Sequence, residues 1–193
     1  MFTQNSGYSA QQKGNKVEGG GSVVAGDQHN HYYATKGVSR ELLDLYEHLK
    51  REGVGDKSAE FCEKLNHYMT PQADIDVRGL DVKLAESNRL DLLMTAKMFK
   101  EQAAKAIMRC QTSRSAQRIF VIILERIYFD FLMKVSPLIQ EERSRIEVDE
   151  KISQIIDMLY ESLGENPLEL SPTDLLGLLF FLGGNCHIRW DKC

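Results

Sequence analysis

The chain lacks a basic excess, paired cysteines and an uninterrupted apolar run, and each absence removes a class of function. Its 24 lysines and arginines stand against 28 aspartates and glutamates, a formal net charge of −4. No global positive field therefore draws it to nucleic acid or to an anionic membrane. Cys62, Cys110, Cys186 and Cys193 are far apart and form no CxxC pair. Together with a polar opening segment that does not read as a signal peptide, this spacing predicts reduced thiols in a cytoplasmic protein. The longest apolar run, Ile119 to Val135, contains Glu125, Arg126, Asp130 and Lys134. That charge load excludes a membrane span and predicts a buried central helix. The motifs GxxxxGK[ST], GxGxxG and HExxH are missing, and no Ser/His/Asp arrangement presents itself. The expectation is a protein without catalytic residues or a cofactor.

What is present divides the chain in three. Residues 1–16 are rich in Gln, Ser, Gly and Asn and are expected to be a disordered tail. Residues 17–37, containing "GGGSVVAGDQHNHYYATKG", form a glycine-rich docking arm or linker, with short β-prone pieces at Val23-Val24 and Tyr32-Tyr33. Residues 38–193 carry helical periodicity. Ser39 is placed to cap a first helix, and Ala59 to Met69 reads as a second. A long helical pattern runs from Asp81 to Arg109, with a break expected at Ser87-Asn88. Ala116 to Val135 is apolar nearly all round, its "IFVII" start has strand propensity, and Pro137 is expected to end it. Ile146 to Leu163 precedes Gly164 at a C-cap position, and Ser171-Pro172 opens a last apolar helix. The fold class is all-α: a helical bundle with a glycine-rich N-terminal extension able to form a short strand.

Few side chains volunteer for chemistry. His29 and His31 would share one face of a strand, and Asp27 or Cys186 and His187 could complete a metal site. Nothing in the spacing of these residues, or of Cys193, closes such a set, so no metal is expected. His29, His31, Tyr32 and Tyr33 read better as a polar-aromatic docking surface. Cys62 and His67, five apart, point in different directions on a helix, which makes Cys62 a structural thiol. Glu101, Glu125 and Asp130 are carboxylates of the kind every helical surface offers. Arg109, Arg114, Arg118 and Arg126 form a basic cluster able to meet phosphate, although acidic residues flank it. In "CHIRWD", Arg189 and the single tryptophan, Trp190, either pin the terminal segment to the core or form an interface hot spot.

Two stretches, "GGGSVVAGDQHNHYY" and "FLGGNCHIRWD", resemble the lead-in and the end of the small helical C-terminal domains of ABC-three-component bacterial conflict systems. The likeness spans about residues 17–193. It implies an anti-phage role, in an organisation related to the Lamassu defence systems. The helical domain of such systems couples an effector to an ABC-type ATPase, with a small middle component between them. The chain departs from that pattern in having only residues 1–16 ahead of the glycine segment. No effector domain is recognisable there, so the family's killing activity does not transfer. The expectation is a non-enzymatic adaptor whose partners are an ABC-type ATPase and a further defence-system subunit, with self-association possible through the arm. A small helical effector or nuclease-associated protein is the alternative, and a nucleic-acid-binding regulator acting through the arginine cluster is another.

Overall fold

The computed structural model describes residues 38–52, 61–71 and 78–190, and the elements along them are helical. They are α1 (Arg40–Arg51), α2 (Glu63–Met69), α3 (Leu80–Glu86), a 3-10 turn (Leu90–Leu92), α4 (Leu93–Arg109), α5 (Arg114–Asp130), a π turn (Phe131–Val135), α6 (Ser136–Gln140), α7 (Arg145–Leu163) and α8 (Pro172–Gly184). No strand occurs among the described residues, and "IFVII" lies inside α5. The tail and the glycine-rich arm, with His29, His31, Tyr32 and Tyr33, lie outside the described residues, as do Asp27 and Cys193.

Serines start four of these helices. Ser39 Oγ accepts from the Leu42 amide at 3.2 Å, and Ser113 Oγ from the Ala116 amide at 3.1 Å. Ser144 with Glu147, and Ser171 with Asp174, form reciprocal capping boxes, the second with Pro172 at the first helical position. Each box satisfies amides that the first helical turn leaves without partners. Glu52 adds a carboxylate at the start of α5, accepting from Ser113 Oγ at 2.5 Å and Ser115 Oγ at 2.6 Å. Its charge also suits the positive end of the helix dipole.

Two expectations about boundaries are corrected. Pro137 does not end the central helix. The chain passes through the π turn, where the Ser136 amide donates to the Phe131 carbonyl, and continues as α6. Proline has no amide hydrogen, but near the start of a new helical segment none is required. The wider turn also restores register: Leu124, Ile127, Phe131 and Val135 are all buried and Ile139 packs against them, whereas repeated four-residue steps would drift around an unbroken α-helix. The second helix begins at Glu63, later than expected; Cys62 is extended (φ −64°, ψ 150°) and donates its amide to Gln117 Oε1 at 2.7 Å. That bond, to a glutamine on α5, holds Cys62 out of the helix.

α5 and α8 build the core. α5 packs against α1, α2, α7 and α8, and α8 lies along α4. The α4–α8 approach depends on small residues: a Cβ on Gly177 would stand 2.8 Å from the Phe99 carbonyl oxygen and 3.5 Å from Ala103 Cβ. The break at Ser87-Asn88 is present, with Asn88 in the left-handed region at φ 57°. Arg89 follows, buried, and its guanidinium pairs with Asp149 at 2.6 Å, tying this corner to α7. Arg145 reaches back from α7 to Asp91.

Candidate functional site

A gathering of polar side chains lies where α8 ends, in "GGNCHIRW". Here the His187 amide donates to the Leu182 carbonyl at 2.9 Å, and the Cys186 amide to the Gly183 carbonyl at 3.3 Å. This is the paired bonding of a Schellman stop, in which the residue after the cap takes a left-handed conformation. That residue is usually glycine; here it is Cys186, at φ 64°. Its thiol points toward the Arg78 carbonyl oxygen, 3.8 Å away.

Side chains from three earlier helices close over this turn. Lys83 of α3 is fully buried and donates its ammonium to the Gly183 carbonyl at 3.0 Å. It thereby adds a charged donor to a carbonyl that also accepts from the Cys186 amide, and meets the negative end of the α8 dipole. Lys100 of α4 runs across Gly184 so closely that a Cβ there would stand 2.4 Å from its Nζ. Burial holds the Lys100 pKa below the ordinary lysine value, with the neighbouring Cys186 acting in the opposite direction and Lys83 reinforcing the shift. From α2, Tyr68 offers its carbonyl to Asn185 Nδ2 at 2.9 Å. The His187 ring packs 5.1 Å from both the His67 and Tyr68 rings. Burial, then the adjacent His67, lowers the His187 pKa below the usual histidine range. Its Nε2 is buried with no hydrogen-bond partner among the described residues. The ring is thus suited to stay neutral among cations.

Trp190 completes the turn from the other side. It is 4% exposed, stacked on Phe180 at 5.8 Å and edge-on to Phe131 at 5.6 Å. Gly183 makes room for it, since a Cβ there would fall 2.3 Å from the indole. Trp190 is therefore part of the buried core. Arg189 beside it is half-buried. Lys83, Lys100 and Asn185 were not anticipated. A lysine inside an apolar face interrupts the pattern that reveals a helix, so periodicity passes over it.

The other candidate residues are dispersed. Arg109 and Arg114 are exposed at the α4–α5 junction. Arg118 places Nε and Nη2 at 3.1 and 2.8 Å from Glu41 Oε1, and Arg126 pairs with Asp130 at 2.6 Å. Half of the arginine cluster is thus already engaged by carboxylates. Glu101 pairs with Lys105, and Glu125 with Lys64. Cys62 and Cys110 are half-buried free thiols, and burial raises the Cys110 pKa. Among the described residues, no group of three or more His, Cys, Asp or Glu side chains is placed to hold a metal ion, and no helix is long and apolar enough to cross a membrane.

What this arrangement does chemically is to fasten. Lys83, Asn185, His187 and Trp190 bind α2, α3, the π turn and α8 to one turn. Residues 79–190 match the family described as CTD9, C-terminal domain 9 of the ABC-three component (ABC-3C) systems. The matched span runs from the residue before α3 to Trp190 and includes the whole C-terminal turn. No curated protein and no solved structure matches the chain.

Proposed function

This chain belongs to the family of C-terminal domain 9 of the ABC-three component systems, and from that premise we propose that it is a non-enzymatic coupling subunit of a bacterial anti-phage complex, joined to an ABC-type ATPase. Membership makes it a component of a system of several parts. The finer reading draws on the family match, which covers more than half of the chain. It is supported by the character of the C-terminal turn, whose polar groups are spent on holding helices together. A rigid helical body suits a part that passes contacts between neighbours.

In this reading the protein acts in the cytoplasm, and the arm bearing His29, His31, Tyr32 and Tyr33 supplies one contact to a partner or to a second copy. The nucleic-acid alternative is weakened by the pairing of Arg118 with Glu41 and of Arg126 with Asp130. Reciprocal pull-downs from the native host test the proposal. Repeated recovery of the ATPase supports it; its repeated absence, or ATP or DNA turnover by the isolated chain, defeats it. Within the same assay, Tyr32→Ala with Tyr33→Ala is expected to weaken assembly by about 1 kcal/mol or more if the arm docks. Unchanged affinity would make the arm a linker.

A further inference from the structure

Phe129, Leu132 and Met133 stand 55%, 49% and 58% exposed at the junction of α5 and the π turn. Their spacing of three and four residues gathers them on one side. The neighbouring row of the same helix holds Arg126, Asp130 and Lys134. Asp130 is buried, and it receives both cations, Arg126 Nε at 2.6 Å and Lys134 Nζ at 2.8 Å. Two cations thus share one carboxylate, leaving a positive excess beside the apolar knuckle in a chain whose net charge is −4. The Glu125–Lys64 pair at the N-terminal edge is balanced and does not alter that sign.

We propose that this knuckle is the docking surface for an amphipathic helix of a partner subunit, one that sets apolar residues against Phe129, Leu132 and Met133 and carboxylates against Arg126 and Lys134. The inference rests on the coupling reading above and names the surface that serves it. Several observations select this occupant. A three-residue apolar ridge on a helix is met best by the groove of another helix. Phenylalanine and methionine bring large contact area, and methionine adapts to an irregular partner. The local charge favours an acidic rim. A nucleic-acid backbone would satisfy the cations but leave the apolar ridge without a counterpart.

The test uses the full chain co-expressed with the ATPase and middle subunit of its own system, with affinity measured over a range of salt. Wild type is expected to bind, more weakly as salt rises. Phe129→Ser with Met133→Ser is expected to weaken binding about tenfold or more, with an unchanged melting temperature because both side chains are exposed. Arg126→Gln, which leaves Lys134 on Asp130, is expected to weaken binding several-fold and to flatten the salt dependence. Wild-type affinity in the double variant overturns the surface while leaving the coupling reading intact. Failure of wild type to bind either subunit overturns both. If the double variant instead loses only self-association, or only binding to a labelled DNA duplex, the occupant is a second copy or nucleic acid and the proposal falls.

Discussion

The end of α8 and the α5–π junction lie on one domain but treat polar and apolar groups in opposite ways. At the end of α8 a lysine is fully buried on a backbone carbonyl and a tryptophan is sealed beneath it. At the junction a phenylalanine and a methionine are left outside while an aspartate is buried between two cations. Burying a lysine costs several kcal/mol in desolvation unless its donors are used, so the first region makes sense as a fastening. Exposing large apolar side chains gains nothing within the chain, so the second makes sense through a partner. The contrast teaches that the unusual residues of a small domain divide by whether their partners are internal.

The comparison can be broken at its buried end first. Trp190→Ala removes the ring that fills the space above Gly183, between Phe131 and Phe180, and is expected to cost about 3–5 kcal/mol, read from chemical denaturation. A loss under 1 kcal/mol would mean that the indole does not hold the turn. Lys83→Met keeps the apolar stem but removes the charged donor from the Gly183 carbonyl, which retains the Cys186 amide; an expected loss of about 1 kcal/mol follows from the hydrogen bond removed. Cys186→Gly works in the other direction. Relieving a left-handed cysteine is expected to raise stability by about 1 kcal/mol, and a decrease would show that the thiol's own contacts outweigh the strain.

A smaller effect is confined to acid pH. The His187 pKa is lowered in the folded chain, so the unfolded chain takes up the proton first. Its contribution to stability is present above the unfolded value of about 6.5 and is lost as pH falls through it. Melting temperature should therefore drop between neutral pH and pH 5, with a flatter profile in His187→Gln; equal slopes would remove His187 from the account. The smallest effect belongs to the exposed region, where Phe129→Ser should shift stability by no more than about 0.5 kcal/mol.

Much of the bundle is legible in residue order. Ser39 and Ser171-Pro172 announce helix starts, and Gly164, at φ 57°, announces an end. Two other stops are hidden for a physical reason: Glu142 and Cys186 hold left-handed positions that glycine usually marks. Pro137 misleads because a proline reads as a terminator unless the π turn before it is known. The polar gathering at the α8 end was half visible. "GGNCHIRW" stands out, but its partners Lys83, Lys100 and Tyr68 come from distant segments, and only tertiary packing brings them there.

The seat of α1 has a mechanical consequence. A Cβ on Gly164 would stand 2.5 Å from Val38 Cγ2, and the Tyr46 hydroxyl donates to the Leu163 carbonyl at 3.0 Å. The entry of the chain into the domain is thus riveted to the far end of α7. A pull on the backbone ahead of Val38 would bear on the Val38–Gly164 contact and on the Tyr46–Leu163 hydrogen bond before α1 could leave its seat. Displacement imposed at that point would reach the body of the domain with little slack.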